Sequence, residues 1–403
     1  METIKVNSVS AGTNPNSPRS VAFAEMPNND NVILFYHAMA NETGDLAGDV
    51  YSRTLNIKTH VLGEETIVNE STQGLQDGPA TATLANGDII VCWRDSNTIS
   101  VDCQRYDSNG SAIGMIFTAI KNDGICKSSG SYNVAIASLE DQPGKFVVAA
   151  TTLKMEYGSY SCKVYAAIFG LMNNLENNFW LPSVNCDTGE THLTSLKEGG
   201  FLASWTSFCI TDNNVYATKF DSKGNEVSKE FSLYIFNKDH SIALLENDDV
   251  VISSTSDETN SNVYEYLFNG NLTEKLSHAR VNSNIHGKQS HSNVVDLENG
   301  HYMVSYYSTQ DNEAWKTFAK IYNNEGTVVS FDFQITGASN STDTGFAQAH
   351  AIDTNSVAVT MIDFTNKDIV MTFFDSYDYI RESEELGKNN DSVANAAVEE
   401  VVV

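Results

Sequence analysis

LANGDIIVCW, residues Leu84–Trp93, decides the fold, because most of its pattern returns twice more in the chain. The later copies read LKEGGFLASW, beginning at Leu196, and LENGHYMVSY, beginning at Leu297. Each copy has an opening leucine, a turn containing glycine, and an apolar run that ends in an aromatic residue. A short segment that recurs in this way indicates a repeat architecture rather than one irregular core.

Seven units can be aligned on the residue that opens this segment, which we call the anchor. Successive anchors lie between 49 residues apart, from Leu196 to Leu245, and 58 residues apart, from Met26 to Leu84. Seven such units nearly fill the 403-residue chain. The anchors are Met26, Leu84, Leu139, Leu196, Leu245, Leu297 and Ile352.

Each unit reads as four short strands. The first ends at the anchor and carries small residues, as in SVAFAEM, and the second is a nearly continuous apolar run, as in NVILFY. The third alternates with aromatic residues, as in VYATKFD, and the fourth often ends in Val-Asn, as in TIVN and ARVN. A continuously apolar second strand fits a strand covered on both faces. Seven four-stranded antiparallel units predict an all-β, seven-bladed β-propeller.

The two ends of the chain predict how the ring closes. The seventh unit has no good fourth strand, whereas IKVN at Ile4–Asn7 resembles a fourth strand placed before any first strand. We therefore predict that the N-terminal segment completes the seventh blade, so that residues 1–380 form a single propeller. Residues 381–403 are acidic and lack aromatics, which predicts a flexible C-terminal tail.

The charge balance argues against two classes of partner. The chain has 24 basic and 52 acidic residues, a net charge of −28. A field of this sign repels nucleic acid and anionic membranes. No apolar run is long enough to predict a transmembrane helix, and the N-terminus METIKVNSVS lacks the pattern of a signal peptide. From its residues alone, the compartment of the protein stays unknown.

The cysteines leave two interpretations open. None of the six belongs to a C-x-x-C pair, so a zinc site built from cysteines is not expected. Cys92 and Cys103 flank a predicted hairpin turn and could face each other. Buried free thiols that act as small apolar residues are the alternative.

The extended pattern LxNGxhhVxW…hYxxxFDxxGNxVxxEFxVN resembles a tandem repeat of large bacterial surface and secreted proteins. LKEGGFLASW with VYATKFDSKGNEVSKEFSL and LANGDIIVCW with QRYDSNGSAIG carry the resemblance most closely. The resemblance implies a propeller-like fold used for binding or adhesion, in a secreted or cell-surface protein. It implies no catalytic activity.

Two turns are weakly similar to the Asp boxes of sialidase-like propellers, namely YDSNGSAI (Tyr106–Ile113) and FDSKGNEV (Phe220–Val227). Both lack the leading serine and the tryptophan of that motif. A sialidase also needs three arginines on the axial face to hold a carboxylate. Of the six arginines here, only Arg19 falls where such a triad would lie. We therefore interpret the two turns as structural, with Asp capping the backbone and Gly at positive φ.

Propellers usually bind ligands at the axial mouth, the end of the ring axis at which the inner strands begin. Polar residues six or seven places before the anchor should reach this mouth. A mixed ring of carboxylates, one Arg and one His could bind a sugar or a cation, and an ordinary wet rim is the alternative. The candidate ligand-binding residues are Arg19, Asp77, Glu190, Asp239 and His291.

Four histidines lie on or beside the inner strands of consecutive units: His192, His240, His291 and His350. They are staggered along those strands, and His240 has the opposite parity, so a shared metal site is not expected. No catalytic residue is assigned, because hydrolase, zinc-protease and phosphate-binding motifs are absent. Single Ca²⁺ ions would fit the Asp- and Asn-rich loops Thr255–Asn262 and Asn340–Gly345, and no other cofactor is expected.

These features predict a non-catalytic, lectin-like binding or scaffold propeller that engages a glycan or a protein through its rim loops. Its repeated surface would also suit homo- or hetero-assembly. The alternative is a carbohydrate-active enzyme, a glycoside hydrolase or lyase, with a carboxylate pair at the axial mouth. Such an enzyme should bring two carboxylates together there, at least one of them with a raised pKa, whereas a binding module need not.

Overall fold

Seven four-stranded antiparallel sheets form a ring in the computed structural model, as the repeat predicts. Each sheet is one blade, and the blades are numbered by their anchors along the chain. The structure describes residues 1–8, 21–27, 30–38, 48–121, 133–156, 159–182, 187–208, 213–234, 239–256, 261–309, 315–335, 344–363, 368–381 and 383.

The strands follow the same order in every blade. The innermost strands are β2 (Val21–Glu25), β6 (Gln76–Thr83), β10 (Val134–Ser138), β14 (Asp187–Ser195), β18 (His240–Leu244), β22 (Gln289–Asp296) and β26 (Thr344–Ala351). The second strands are β3 (Asn31–Ala38), β7 (Ile89–Asp95), β11 (Phe146–Glu156), β15 (Phe201–Phe208), β19 (Val250–Thr255), β23 (His301–Ser308) and β27 (Ser356–Asp363). The third strands are β4 (Asp49–Asn56), β8 (Ser100–Tyr106), β12 (Ser159–Phe169), β16 (Asn213–Phe220), β20 (Val263–Phe268), β24 (Lys316–Asn323) and β28 (Asp368–Asp375). The outermost strands are β5 (Thr66–Ile67), β9 (Ala112–Lys121), β13 (Leu175–Trp180), β17 (Phe231–Tyr234), β21 (Lys275–Arg280), β25 (Phe333–Ile335) and, in blade 7, β1 (Glu2–Lys5).

The N-terminal strand closes the ring in the predicted way. Strand β1 pairs antiparallel with β28, with Glu2 opposite Phe373 and Lys5 opposite Val370. Blade 7 therefore contains strands from both ends of the chain. The closing strand belongs to the sheet itself, so the ring cannot open without breaking strand pairs.

The hydrophobic core is divided among the interfaces between blades, with one cluster in each. Each inner strand has two faces, because successive side chains point to opposite sides. In blade 1, Val21 packs against blade 7, whereas Ala22 packs against blade 2. Residues of opposite parity on neighbouring inner strands therefore face each other.

The two tryptophans of the repeated segment occupy equivalent buried positions, as the repeat predicts. Trp93 on β7 and Trp205 on β15 are each 1% exposed. The residue before each tryptophan pairs with the inner-strand residue four places before the anchor, Ala80 in blade 2 and His192 in blade 4. The alignment of the two units is therefore confirmed.

A disulfide joins Cys92 to Cys103, directly opposite each other on β7 and β8, with Cα atoms 4.0 Å apart. Cys162 is also disulfide-bonded. The pairing of Cys92 with Cys103 is thus the open alternative that the structure supports, and free thiols are contradicted for these cysteines. The remaining three cysteines lie outside the described residues.

The turns that resemble Asp boxes are structural, as predicted. The Asp107 carboxylate accepts hydrogen bonds from the backbone N–H groups of Asn109 and Ser111, both at 2.9 Å. Asp221 accepts the same pair of bonds in its own turn. A glycine with φ near 80° completes each turn, a conformation that disfavours a Cβ.

A helical turn, residues 376–381, follows β28. Its Tyr379 stacks on Phe333 with ring centroids 4.0 Å apart, and Ile380 is buried between blades 6 and 7. Ser383 Oγ accepts a hydrogen bond from the backbone N–H of Phe331 at 3.0 Å, so the described contacts with blade 6 continue past residue 380. Residues 384–403 of the predicted tail lie outside the described part of the chain. No helix among the described residues has the length and apolarity of a membrane span.

Glu265 provides a test of the interface between blades 5 and 6. It is fully buried, with Tyr302 Oη and Ser277 Oγ each 3.3 Å from its carboxylate, and burial raises its pKa from 4.5 to about 7. The nearby Tyr302 and Tyr322 have raised pKa values and stay neutral at these pH values. Because the folded state holds this proton more tightly than the unfolded state does, folding stability should fall as pH rises from about 4.5 to about 7.

We expect Glu265→Gln to remove this pH-dependent loss, which amounts to about 3 kcal/mol above pH 7. Urea unfolding of both proteins at pH 5 and pH 8 would measure it. The variant should have a higher free energy of unfolding than the wild type at pH 8, and the two proteins should have similar values at pH 5. If the stability of the two proteins changed with pH in parallel, the raised pKa of Glu265 would be contradicted.

Candidate functional site

The axial mouth is lined by residues that hold one inner strand to the next. The residues six places before the anchor in blades 3 to 6 are Asn133, Glu190, Asp239 and His291. The first three each reach the following blade. The Asn133 side chain bonds both the N–H and the C=O of Thr191.

Glu190 and Asp239 make the next two links. Glu190 Oε2 accepts a hydrogen bond from the backbone N–H of His240 at 3.3 Å. Asp239 Oδ2 lies 3.5 Å from His291 Nε2. The exposed backbone of an inner strand must find partners, and these side chains supply some of them. Part of the polar ring is therefore structural.

The inner strands also change register at this mouth. The pairing of inner and second strands shifts between Thr188 and Thr191 in blade 4 and between Ser290 and Asn293 in blade 6. Blades 2 and 7 have comparable shifts. A β-bulge re-aims side chains and is frequent beside binding sites. The shifts in blades 4 and 6 include Glu190 and His291, two of the residues predicted from spacing.

Four of the five predicted residues lie in the described structure. Glu190, Asp239 and His291 lie at equivalent positions on three consecutive blades. Asp77, on the other side of the ring, is held by Arg94, with Oδ1–Nε at 2.8 Å and Oδ2–Nη2 at 2.5 Å. His37 is buried beside that pair, and its burial lowers its pKa. Arg19 lies outside the described residues.

Two of the four inner-strand histidines meet, although spacing and parity argued against it. The rings of His192 and His240 have centroids 4.5 Å apart, and His192 Nε2 is 3.8 Å from Glu190 Oε1. Donor atoms of Glu190, His192 and His240 all lie within 4.8 Å of one another. Side chains from adjacent inner strands must have opposite parity in order to face each other, so the parity of His240 places its ring toward His192.

The other two histidines stand apart from this group. His291 pairs with Asp239 in the next interface. His350 stacks on Phe23 with ring centroids 4.6 Å apart, and its burial lowers its pKa to about 4. The proposed Ca²⁺ loops cannot be compared with the structure, because residues 257–260 and 336–343 lie outside its description.

Two carboxyl groups with a raised pKa lie on inner strands at the end opposite the axial mouth. Burial and the nearby Glu298 raise the pKa of Asp296 to about 6. Burial and Glu298 also raise the pKa of Glu25. Both are the last residues of their inner strands, β22 and β2. They therefore do not form the axial carboxylate pair that a glycosidase would need beside Glu190.

No family model and no curated protein matches this sequence. The chain is similar in structure to the polysaccharide lyase Uly1, at 8% identity over 93% of this chain and 99% of that chain, with a TM-score of 0.58. It is also similar to the BP39L lectin from Burkholderia pseudomallei, at 9% identity over 89% and 96% of the two chains, with a TM-score of 0.55. The K499G mutant of NanB sialidase from Streptococcus pneumoniae is similar at 10% identity over 86% and 84%, with a TM-score of 0.46. At such identities the likeness shows the fold, and the resemblance to bacterial surface repeats stays a prediction.

Proposed function

We propose that the protein binds a glycan at the axial mouth of blades 4 to 6. The observation that carries this proposal is the set of polar side chains on three consecutive inner strands. Glu190 and His192 stand on β14, Asp239 directly precedes β18, and His291 stands on β22. Sugars are bound by such mixtures of carboxylates and imidazoles, because each hydroxyl both donates and accepts hydrogen bonds.

The charge of the protein favours a neutral glycan as the ligand. A carboxylate accepts hydrogen bonds from sugar hydroxyls, and bonds to a charged group are stronger than neutral ones. A net charge of −28 repels uronic acids and sulfated sugars over long range. Neutral oligosaccharides avoid that penalty and keep the hydrogen bonds.

The similar solved structures support a carbohydrate-related function without identifying it. A lectin and a polysaccharide lyase share this fold over most of their length. Each of the two axial carboxylates contacts the neighbouring blade. Glu190 contacts His192 and the His240 backbone, whereas Asp239 contacts His291, so the two carboxylates engage different partners.

A glycan array of neutral and anionic oligosaccharides, probed with and without Ca²⁺, would test this proposal. We expect neutral glycans to bind, and we expect Asp239→Asn and Glu190→Gln to weaken binding about tenfold or more, since each removes a charged acceptor. Asp141→Asn, in an exposed turn of blade 3, is the matched control and should bind as the wild type does.

A silent array with a correctly folded protein would overturn the proposal and favour a protein partner. The same glycans should also be assayed for new reducing ends and unsaturated products. Their appearance, and their loss in Glu190→Gln, would replace the binding proposal with the carbohydrate-active enzyme.

A further inference from the structure

Among the residues that the structure describes, the interface between blades 4 and 5 has the fewest buried apolar side chains of the seven. Among the described residues its core cluster contains seven buried hydrophobic residues, whereas each of the other six clusters contains eleven to thirteen. Polar side chains stand where apolar ones would be expected. Ser204 and Thr206 of β15 lie on the same strand face as Leu202, which belongs to this cluster, and both are fully buried.

Three potential metal ligands converge at the mouth of this interface. Glu190 and His192 come from blade 4, and His240 comes from the facing strand of blade 5. Glu190 and His240 are 8% and 2% exposed, and the His192 side chain is 16% exposed. Their donor atoms, all within 4.8 Å, need only side-chain rotation to approach the separation of about 3.3 Å that tetrahedral zinc ligands adopt.

The surroundings of His240 fit a ligand role. Ser204 Oγ lies 2.9 Å from His240 Nε2. A metal-bound histidine typically holds its second ring nitrogen in a hydrogen bond, which fixes the ring orientation. With Nε2 at Ser204, the ring would present Nδ1 to the ion. Ser204 is thus placed to position a ligand, and it stands directly opposite His192 in the strand pair.

We propose that Glu190, His192 and His240 bind a divalent transition-metal ion of the zinc type. Two imidazoles and one carboxylate are a zinc ligand set that leaves a fourth position for water or another ligand. Calcium is disfavoured, because it takes oxygen ligands and six or more of them. This site goes beyond glycan binding and does not depend on it, since the ion needs only the three side chains.

Metal binding by untagged protein, stripped with a chelator and dialysed, would test the site. Calorimetry with Zn²⁺ and elemental analysis after dialysis should give one ion per chain, and Co²⁺ should give the visible absorption of a four-coordinate complex. Glu190→Gln and His192→Ala should each weaken Zn²⁺ binding by at least about 100-fold, as loss of a ligand costs more than loss of a supporting contact.

The matched controls are the exposed residues Glu274 and His278 of blade 5. Glu274→Gln and His278→Ala should bind Zn²⁺ as the wild type does. Ser204→Ala should weaken binding by about tenfold and keep the stoichiometry, which a merely structural serine would not do. Circular dichroism would check that each variant folds.

Absence of stoichiometric Zn²⁺ in the wild type, or equal binding in ligand and control variants, would overturn the metal site. Because the probe is the metal alone, that failure leaves the glycan proposal standing. A silent glycan array would likewise leave the metal site standing.

Discussion

Deleting residues 1–8 is expected to destabilise the protein by about 5 kcal/mol and to promote aggregation. The deletion removes the fourth strand of blade 7 and leaves β28 as an unpaired edge, which invites pairing with another chain. It also removes Val6, which is fully buried between blades 7 and 1. Burying a valine is worth about 1.5–3 kcal/mol, and each lost hydrogen bond adds about 1 kcal/mol.

The hydrogen bonds at stake lie on both sides of the closing segment. Toward blade 7, Val6 N–H donates to Ile369 O at 2.8 Å, and Asn7 Oδ1 accepts from Ile369 N–H at 2.6 Å. Toward blade 1, Arg53 donates to Val6 O at 2.7 Å, and Ser8 donates to Glu65 through its N–H and its hydroxyl.

Chemical unfolding would measure the stability change, and light scattering against protein concentration would measure the aggregation. The control is deletion of residues 384–403, which the sequence predicts to be a flexible tail and which should cost little. A protein lacking residues 1–8 that is as stable and as monomeric as the full chain would contradict closure by the N-terminal strand.

The same buried network recurs where no chain end is involved. Between blades 5 and 6, Lys320 contacts Val281 O and lies 2.7 Å from Asp332 Oδ1. Asp332 also accepts hydrogen bonds from Ser283 N–H at 2.6 Å and Tyr306 Oη at 3.0 Å. Arg53, Tyr36 and Glu65 take the corresponding places in blade 1, with the Tyr36 hydroxyl bonded to Glu65. The interface between blades 7 and 1, where the ring closes, therefore has the same kind of polar contacts as the interface between blades 5 and 6.

The fold could be predicted because its determinants repeat along the chain. The apolar second strands, the anchors and the Val-Asn endings recur often enough to count the blades and to identify Ile4–Asn7 as the missing strand. Each signal is local, since it depends on alternation and on turn residues within one unit.

The candidate site depends on relations between units, and those were predicted only in part. The spacing before the anchor placed Glu190, Asp239 and His291 at one level. It did not reveal that Asp77 would be held by Arg94, because that partner comes from the second strand of the same blade. It also separated His192 from His240, because parity was compared along one face, whereas neighbouring blades meet through opposite faces. No motif in the sequence predicts that Ser204 would hydrogen-bond to His240.

The Val-Asn ending that defines the repeat has a structural cause. Asn69 Oδ1 accepts the N–H of Val50 at 2.8 Å, and Asn282 Oδ1 accepts the N–H of Val263 at 2.9 Å. In blades 1 and 5 the asparagine follows the fourth strand and caps the start of the third strand beside it. Asn7 caps Ile369 in blade 7 in the same way. The closing segment therefore shares both the Val-Asn sequence and its hydrogen bond with the fourth strands of blades 1 and 5.

Asn282→Ala is therefore expected to cost about 3 kcal/mol of folding stability. Asn282 is 1% exposed, and its amide nitrogen donates to Asn262 Oδ1 at 2.8 Å and to Asn284 O at 2.7 Å. Alanine would leave the buried Val263 N–H without its acceptor and the partly buried oxygens of Asn262 and Asn284 without their donor. A buried group left unpaired costs about 1–3 kcal/mol, and a partly exposed one costs less. Asn271→Ala, in an exposed turn of the same blade, is the matched control and should change stability by less than about 0.5 kcal/mol.

Urea unfolding of the two asparagine variants would separate a cap from an ordinary surface asparagine. Asn282→Asp sharpens the comparison, because a carboxylate keeps the acceptor for Val263 N–H but loses both donated bonds. It should fall between the wild type and Asn282→Ala at low pH and approach Asn282→Ala at neutral pH, where its buried charge adds a cost. Equal losses for Asn271→Ala and Asn282→Ala would mean that the recurring asparagine is a turn preference and that the blades are held by their apolar interfaces alone.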